Sequence, residues 1–191
     1  TSKMNSIDPL VMGMYKKTIN LIKNSDSYNA LVIYNEANNF SVGANLALFL
    51  FAANIAMWNE IESQIVEGQK TYQALKKAPF PVVSAPSGLA LGGGCEILLH
   101  SDAIQAHSET YTGLVEAGVG IIPGWGGCKE IISKLRSSGK IPKGPMPSLM
   151  KAFELIGTAK VAKSAFEAKD FGFFSEDDEI TMNRDRLLFD A

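Results

Sequence analysis

The chain has 191 residues, of which 46% are hydrophobic and 20% charged, and its formal net charge is −2. A disordered chain would hold fewer apolar residues and more net charge, so this composition excludes disorder and predicts a buried core. The near-neutral charge gives no general attraction to nucleic acid or to acidic membranes, so neither is an expected partner. The 2 cysteines are too few for a disulfide scaffold, and no histidine, cysteine or carboxylate cluster has metal-ligand spacing, so no metal site is predicted.

The N-terminal segment leads directly into a predicted helix over residues 9–23, because Asp8 followed by Pro9 is typical of a helix start. The segment lacks the basic and then apolar pattern of a secretory signal. The expected location is therefore the cytoplasm or an organelle matrix, with the cytoplasm as our prediction. A continuous apolar run over residues 30–34 then predicts a strand covered on both faces.

Residues 46–58 form the most apolar stretch of the chain. The stretch is shorter than the roughly 20 residues that a membrane helix needs, so it predicts a buried helix and no membrane span. A second helical stretch follows over residues 58–77 and ends before Pro79, and residues 81–85 predict another buried strand.

The second half continues the alternation of strands and helices, which predicts an α/β fold. A capping box of Ser164 and Glu167 marks a late helix, and Asn183 is placed to cap the last one. The remaining predicted elements are a strand over 102–106, helices over 129–136 and 148–156, a boundary loop over 137–147, and an acidic surface turn over 176–179. We therefore divide the chain into a core over residues 1–136 and a loop plus helical C-terminal part over residues 137–191.

The triple glycine Gly92-Gly93-Gly94 opens a predicted helix and is the first candidate for chemistry. Glycines let a ligand approach the backbone, and free N–H groups at a helix N-terminus attract negative charge. Neither a Walker loop nor a GxGxxG dinucleotide fingerprint is present. On the glycines alone, a close crossing of helix and strand is the simpler interpretation.

Two glutamates near these glycines are candidate acid/base groups. Glu96 follows in the first helical turn, where a carboxylate also simply complements the helix dipole. Glu116 stands among glycines and apolar residues, which favours a raised pKa, although a surface turn would explain it equally well. The Gly43-Ala44 pair could present a backbone N–H to a ligand, or could be an ordinary connection.

Other notable residues receive structural interpretations. We expect His100 to pack in a helix, His107 to lie in a polar loop, and Cys95 to pack as a small residue. A local basic bias is interpreted as a solvated surface, with a phosphate-bearing ligand as the alternative. It consists of Lys129, Lys134, Arg136, Lys140, Lys143 and Lys151, with Glu130 as the opposing charge.

Three segments, in order, resemble the motifs of the crotonase family of enoyl-CoA hydratases and isomerases. Residues 40–46 (FSVGANL) resemble the family's F-S-x-G-A-D-L loop, and residues 86–96 (PSGLALGGGCE) resemble its N-G-x-A-x-G-G-G-x-E loop. Residues 116–127 (EAGVGIIPGWGG) resemble its third motif. The departures are Asn45, Ser87 and Val115, which stand where the family usually has Asp, Asn and Pro. The resemblance implies a crotonase-like spiral of ββα units with a C-terminal helical extension.

The resemblance also implies roles for individual residues. The backbone N–H groups of Ala44 and Gly93 would form an oxyanion hole, and Glu96 and Glu116 match the two acid/base glutamates of hydratases. The helix over residues 46–58 would line an acyl tunnel. Substrate-binding positions carried over from the family are Val42, Gly43, Asn45, Leu91, Gly92, Pro123, Gly124 and Trp125.

These motifs, together with the tail over residues 183–188, resemble the hydratase module of bacterial 3-hydroxyacyl-CoA dehydrogenase proteins. That resemblance implies a covalently linked dehydrogenase domain, with NAD required only there and coenzyme A entering here as part of an acyl-CoA substrate. It also implies that N-terminal strands and C-terminal helices of the full module lie outside this sequence. Homo-oligomers are expected by the same resemblance.

The expected activity is hydration of 2-enoyl-CoA in fatty-acid β-oxidation. Two other reactions share the same oxyanion hole, namely enoyl-CoA isomerisation and hydrolysis of an acyl-CoA thioester. A non-catalytic acyl-CoA-binding or assembly module is a third alternative, against which the presence of both glutamates argues.

Overall fold

The computed structural model describes residues 3–191 of the chain. Its helices are α1 (Pro9–Lys23), α2 (Leu46–Asn54), α3 (Trp58–Lys76), α4 (Gly93–Leu99), α5 (Gly127–Ser137), α6 (Pro145–Gly157), α7 (Ala165–Phe171) and α8 (Leu187–Asp190). Its strands are β1 (Leu31–Ile33), β2 (Val82–Ser84), β3 (Gly88–Leu91), β4 (Ala103–His107), β5 (Thr110–Gly113) and β6 (Glu179–Thr181). Short 3₁₀ turns cover Lys3–Asn5, Glu116–Val119 and Arg184–Arg186. The alternation of strands and helices confirms the predicted α/β class.

The predicted helix starts are confirmed at atomic detail. The Asp8 side chain accepts the N–H of Val11 at 2.9 Å, so α1 begins where the Asp-Pro pair indicated. The Ser164 hydroxyl accepts the N–H of Glu167 at 3.1 Å and starts α7. Asn183 caps the 3₁₀ turn that leads into α8. These ends were predictable because a capping side chain bonds to a backbone group only two or three residues away.

The strands form two parallel sheets. The larger sheet has the order β1-β2-β4-β6, and the smaller one pairs β3 with β5. In the larger sheet Val32 is paired with Val83 and Ser84 with Ile104, while in the smaller sheet Leu91 is paired with Gly113. Parallel neighbours need crossover connections, and the helices between the strands supply them.

Two consecutive β-β-α units build the centre of the molecule. In each unit the first strand (β2, then β4) joins the larger sheet and the second strand (β3, then β5) joins the smaller one. Each unit ends in a helix, α4 after β3 and α5 after β5. Strands β3 and β5 are parallel neighbours in the smaller sheet, so they end side by side. The segments that follow them therefore leave the sheet at the same edge.

The core is a cluster of buried side chains contributed by both sheets and by helices α1, α3, α4, α5, α6 and α7. Every residue of α4 is buried, including Cys95, and His100 is fully buried just beyond its end, as the packing interpretations predicted. Burial raises the pKa of the Cys95 thiol to about 12, which keeps it protonated and unreactive. The largest fully buried side chains elsewhere include Tyr72, Leu75, Leu114, Ile131 and Phe173.

The prediction that residues 46–58 form a buried helix is wrong. Helix α2 ends at Asn54. Within it only Ala52 is buried, whereas Leu50 and Phe51 are each 64% exposed. The helix is apolar on all sides but packs mainly on α3. A single neighbouring helix covers one face only, so the remaining apolar side chains face outward.

Strands β3, β5 and β6 were not predicted, because each has only three or four residues, and glycine or polar residues interrupt the continuous apolar run that marked β1 and β2. His107 belongs to β4 and is largely buried, so its placement in a polar loop is wrong. Helix α6 begins at Pro145, three residues before the predicted start, with proline in its first turn.

The acidic turn over residues 176–179 is only partly a surface feature. Asp178 is 6% exposed, and its side chain accepts the N–H groups of Ile104 at 2.9 Å and of Ser175 at 2.6 Å. Lys134 of α5 lies 3.3 Å from the same carboxylate. The prediction failed for Asp178 because its partners on β4 and α5 lie 74 and 44 residues away in sequence.

Candidate active site

Two backbone segments meet at the glycine turn that precedes α4. Gly43 and Gly92 both have positive φ angles, +85° and +54°. A Cβ added to Gly43 would lie 2.6 Å from the nitrogen of Gly93, so the two segments are in direct backbone contact. Only glycine allows both the φ angle and the approach.

The N–H groups of Ala44 and Gly93 have no hydrogen-bond partner within residues 3–191. Ile7 pairs with this segment through the Gly43 carbonyl at 2.8 Å and the Asn45 N–H at 3.3 Å, a parallel bridge that leaves the Ala44 N–H directed elsewhere. Gly93 is the first residue of α4, where an N–H has no partner inside the helix. The two residues predicted to form an oxyanion hole therefore both have a free donor.

Glu96 is 1% exposed and sits in the first turn of α4. Its Oε1 accepts the N–H of Trp125 at 2.9 Å and that of Gly127 at 2.8 Å. Burial raises the pKa of Glu96 to about 8, with the charge of Glu116 adding to the rise and the two N–H donors opposing it. A carboxyl with such a pKa can exchange a proton near neutral pH.

Glu116 follows β5 and begins the 3₁₀ turn Glu116–Val119. Its Oε1 lies 3.2 Å from the position that a Cβ on Gly92 would take, so the glycine turn passes close to the carboxyl. Its Oε2 is buried and has no hydrogen-bond partner among the described residues. Burial also raises the pKa of Glu116. A buried carboxyl oxygen without a partner is costly in a resting fold, which points to a bound molecule as its partner.

These groups line one end of a cleft of about 700 Å³. The polar end contains Ala44, Gly92, Gly93, Glu96 and Glu116, and the remainder is mostly apolar. The other lining residues are Val42, Leu46, Phe49, Ile61, Ile65, Gln69, Val115, Val119, Gly120, Ile121, Ile122, Pro123, Gly124 and Trp125. The arrangement fits a ligand with a polarisable oxygen at one end and an apolar chain at the other.

The structure brings most of the predicted substrate-binding residues to this cleft. Val42, Gly92, Pro123, Gly124 and Trp125 line it. Three others lie just outside the lining. They are Gly43 and Leu91, whose backbones support the glycine turn, and Asn45, whose side chain accepts the N–H of Ala47 and caps α2.

Sequence reasoning missed the contribution of α3 to the site. Ile61 and Ile65 line the apolar part of the cleft, and the Gln69 side chain donates to the carbonyl oxygen of Gly124 at 2.8 Å. That contact spans 55 residues, and no local pattern in α3 indicates it. Of the predicted tunnel helix, Leu46 and Phe49 reach the cleft.

Four of the six basic residues between positions 129 and 151 form ion pairs, two with carboxylates close in sequence and two with remote ones. Lys129 pairs with Glu130, and Lys134 pairs with Asp178. Lys140 pairs with Glu176, and Lys151 with Glu154. This distribution favours a solvated, ion-paired surface over a concentrated phosphate site.

Two further observations concern residues 3–191. None of the helices described there is both long and apolar enough to cross a membrane. The same part of the chain contains no group of three or more histidine, cysteine, aspartate and glutamate residues arranged to hold a metal ion.

Solved structures with the same fold include enoyl-CoA hydratases. One from Bacillus anthracis matches all of this chain and 67% of its own, with a TM-score of 0.81 and 23% identity. Another from Polaromonas sp. JS666 matches all of this chain and 68% of its own, with a TM-score of 0.82 and 22% identity. At this level of identity the similarity demonstrates the fold, which is the crotonase fold that the sequence motifs predicted.

Curated relatives extend well beyond this chain. A probable 3-hydroxyacyl-CoA dehydrogenase of Bacillus subtilis (strain 168) is 44% identical over all 191 residues, and a putative fatty acid oxidation complex trifunctional enzyme of Rickettsia prowazekii (strain Madrid E) is 34% identical over the same length. The chain spans 23% and 25% of these two proteins, respectively. The sequence profile of the enoyl-CoA hydratase/isomerase family matches residues 1–138, which is more than half of the chain. The chain therefore belongs to the enoyl-CoA hydratase/isomerase (crotonase) family.

Proposed function

We propose that this chain is an enoyl-CoA hydratase module of fatty-acid oxidation. It would add water across the 2,3 double bond of a 2-enoyl-CoA thioester and give 3-hydroxyacyl-CoA. One observation carries the proposal: two free backbone N–H groups and two carboxyls with raised pKa values, the buried Glu96 and the half-buried Glu116, meet at the polar end of an apolar cleft. A site of this kind suits a reaction in which an oxygen gains charge while protons move.

The N–H groups of Ala44 and Gly93 would bind the thioester carbonyl oxygen. As the water oxygen forms its bond to C3, the π electrons move toward C2 and the carbonyl, and the oxygen becomes an enolate. Backbone donors already fixed in place stabilise that charge without reorganisation, and the loss of one such donor typically costs about 3 kcal/mol. Side chains larger than methyl at these positions would occupy the space of the thioester.

The two carboxyls would move the protons as a pair. One carboxylate takes a proton from water as the C–O bond forms, and the other carboxyl gives its proton to C2, so the pair holds one proton before and after. We assign the base role to Glu96 in the state in which Glu116 holds the proton that the pair shares, because two N–H groups fix the Oε1 of Glu96 and favour its anion. We assign the acid role to Glu116, because burial raises its pKa against the opposing N–H groups of Val115 and Glu116, and its Oε2 accepts no hydrogen bond within residues 3–191.

The apolar part of the cleft would hold the acyl chain. Phe49 on α2, Ile61 on α3 and Ile121 after the 3₁₀ turn approach this space from three different elements. Such a lining binds a hydrocarbon chain and excludes water from the reacting carbons. Coenzyme A would enter as part of the substrate and not as a resident cofactor.

We also propose that the chain works within a longer protein. The similarity to a protein named as a probable 3-hydroxyacyl-CoA dehydrogenase covers this whole chain but under a quarter of that protein. The product of hydration, a 3-hydroxyacyl-CoA, is the substrate that such a dehydrogenase oxidises with NAD. A linked domain would then receive the product of this module.

The test is the hydration of crotonyl-CoA by the 191-residue chain and by Glu96→Gln and Glu116→Gln. We expect the wild type to consume the enoyl thioester and each variant to lose turnover by about 100-fold or more, as is usual for a missing acid/base group. Affinity for a saturated acyl-CoA should stay within about twofold, because glutamine keeps the size of the side chain. An unchanged hydration rate in Glu116→Gln would contradict the assignment.

The same preparation separates the alternatives. Migration of the double bond in a 3-enoyl-CoA, or release of free coenzyme A, at a higher rate than hydration would favour an isomerase or a thioester hydrolase. Binding of acyl-CoA without any turnover would favour a non-catalytic module.

A further inference from the structure

Helix α3 contacts several parts of the site, although none of its residues was a candidate from the sequence. Gly68 packs under the indole of Trp125, and Gln69 donates to the carbonyl of Gly124. One turn further, Tyr72 is fully buried, and its hydroxyl donates a hydrogen bond of 2.9 Å to the carbonyl oxygen of Gly93. Gly93 is the residue whose N–H would bind the thioester oxygen.

The ring of Tyr72 has a second contact with the site. It lies edge-on to the indole of Trp125, with ring centroids 5.4 Å apart and an interplanar angle of 73°. The same indole packs against Gly93, because a Cβ on Gly93 would lie 2.6 Å from it. The backbone N–H of Trp125 in turn donates to Glu96. One side chain thus contacts both the donor residue for the thioester and the residue that holds a catalytic carboxyl.

Taking the proposed hydratase function as given, we infer that Tyr72 is a positioning residue for the reaction. Its hydroxyl fixes the start of α4, so that the N–H of Gly93 stays directed at the thioester oxygen. Its ring supports Trp125 and thereby the N–H that holds Glu96. Tyr72 does not line the cleft and acts through these two residues.

The chemistry of Tyr72 suits this role. Burial raises the pKa of Tyr72 well above its ordinary value, and the nearby charge of Glu96 adds to the rise, so the group stays a phenol and keeps its proton for donation. Gly93, at the first position of α4, has no side chain that could restrict its backbone. The hydrogen bond from the Tyr72 hydroxyl to the Gly93 carbonyl therefore restricts the first turn of the helix. Oxyanion stabilisation depends on donors held in place before the charge develops.

The primary test compares Tyr72→Phe with the wild type in crotonyl-CoA hydration and in binding of a conjugated aryl-acryloyl-CoA. The absorption of such a thioester shifts to longer wavelength when donors polarise its carbonyl, and the shift needs binding but no turnover. We expect kcat to fall roughly tenfold and KM to change by less than about twofold, because the lost bond aligns a donor and does not touch the substrate. The red shift should shrink in parallel with kcat.

Tyr15→Phe is the matched control. Tyr15 is a largely buried tyrosine on α1, and its hydroxyl has no hydrogen-bond partner within residues 3–191. It should keep wild-type kcat and red shift. To avoid the small cavity left by phenylalanine, 4-fluorophenylalanine at position 72 fills the space of the hydroxyl without donating, and 4-aminophenylalanine restores a donor. We expect the first to behave like Tyr72→Phe and the second to recover part of kcat and of the red shift.

The outcomes separate this inference from the proposed function. Unchanged kcat and red shift in Tyr72→Phe, or equal losses with 4-fluoro- and 4-aminophenylalanine, overturn the positioning role while leaving hydration intact. Absence of hydration by the wild type overturns the proposed function. In that case the red shift still decides whether the Tyr72 hydroxyl orients a carbonyl-binding donor.

Discussion

At the scale of single residues, the site contains carboxyl groups whose pKa values the fold raises above their ordinary values. Glu96 is removed from water, which favours its neutral form, while two N–H groups favour its anion. The result is a folded-state pKa of about 8 against an ordinary value of 4.5. A group held so far from its ordinary pKa contributes a free-energy cost that depends on pH.

The first prediction concerns this cost. Between pH 4.5 and about 8 the folded protein holds a proton on Glu96 that the unfolded chain releases, so the free energy of unfolding decreases as pH rises through this interval. Glu96→Gln removes the titration and should raise the melting temperature at pH 9 by about 3 °C or more while leaving it nearly unchanged at pH 4. Thermal melts across pH 4–9 check this. Glu62→Gln, at an exposed position of α3, is the control, and equal pH slopes in wild type and Glu96→Gln would contradict the argument.

The second prediction concerns the backbone contact between the two segments that carry the proposed donors. A Cβ on Gly43 would lie 2.6 Å from the Gly93 nitrogen, at a φ of +85°. Gly43→Ala should push the two segments apart and lower kcat for hydration by about 100-fold, the loss typical of one oxyanion donor. Gly13→Ala in α1, where the same Cβ meets nothing within 4 Å, should retain activity and gain up to about 1 kcal/mol of stability. Wild-type activity in Gly43→Ala would show that the donors do not need this contact.

At the scale of elements, helix α3 contacts and supports several parts of the site. Its residues contact the glycine turn, the loop over residues 123–127 and the apolar wall of the cleft. Further along, Lys76 forms an ion pair of 2.9 Å with the buried Glu130 of α5, whose first residue, Gly127, donates to Glu96. We therefore expect that correct placement of α3 is needed both for the proposed oxyanion donors and for Glu96, the carboxyl proposed to move a proton.

The third prediction belongs to this helix. A Cβ on Gly68 would lie 2.1 Å from the indole nitrogen of Trp125, so Gly68→Ala forces the indole to move and disturbs the N–H that holds Glu96. We expect hydration to fall by about tenfold although alanine is the better helix former. In a Trp58→Phe background Trp125 is the remaining tryptophan of the 2 in the chain, and its fluorescence maximum should shift to longer wavelength. Gly157→Ala in α6, with no atom within 4 Å, is the control and should change neither signal.

At the scale of the whole molecule, what the sequence could predict divides by the range of the interactions. The α/β class, the start of α1 and the presence of strands β1 and β2 depend on caps and apolar runs within a few residues, and the prediction was right for each of them. The prediction that β1 is covered on both faces was wrong, because Val32 in its middle is 37% exposed. The exposure of α2, the burial of Asp178 and the contact of Gln69 with Gly124 depend on packing between distant segments, and no local pattern records them. The three family motifs predicted part of this long-range arrangement, because they identify residues that meet only in the folded chain.

The last prediction asks whether the C-terminal part and the core unfold together. The predicted boundary after residue 136 falls inside α5, and Asp178 crosses it by accepting the N–H of Ile104 and pairing with Lys134. Asp178→Asn leaves Lys134 without its counter-charge, and breaking a buried pair typically costs about 3–5 kcal/mol. We therefore expect one cooperative transition whose midpoint drops by roughly 6–20 °C, since about 2–4 °C corresponds to each kcal/mol at this size. Calorimetry of Asp178→Asn beside Asp177→Asn, an exposed neighbour, measures this. Two separate transitions, or equal midpoints for both variants, would mean that the core is stable without these C-terminal contacts.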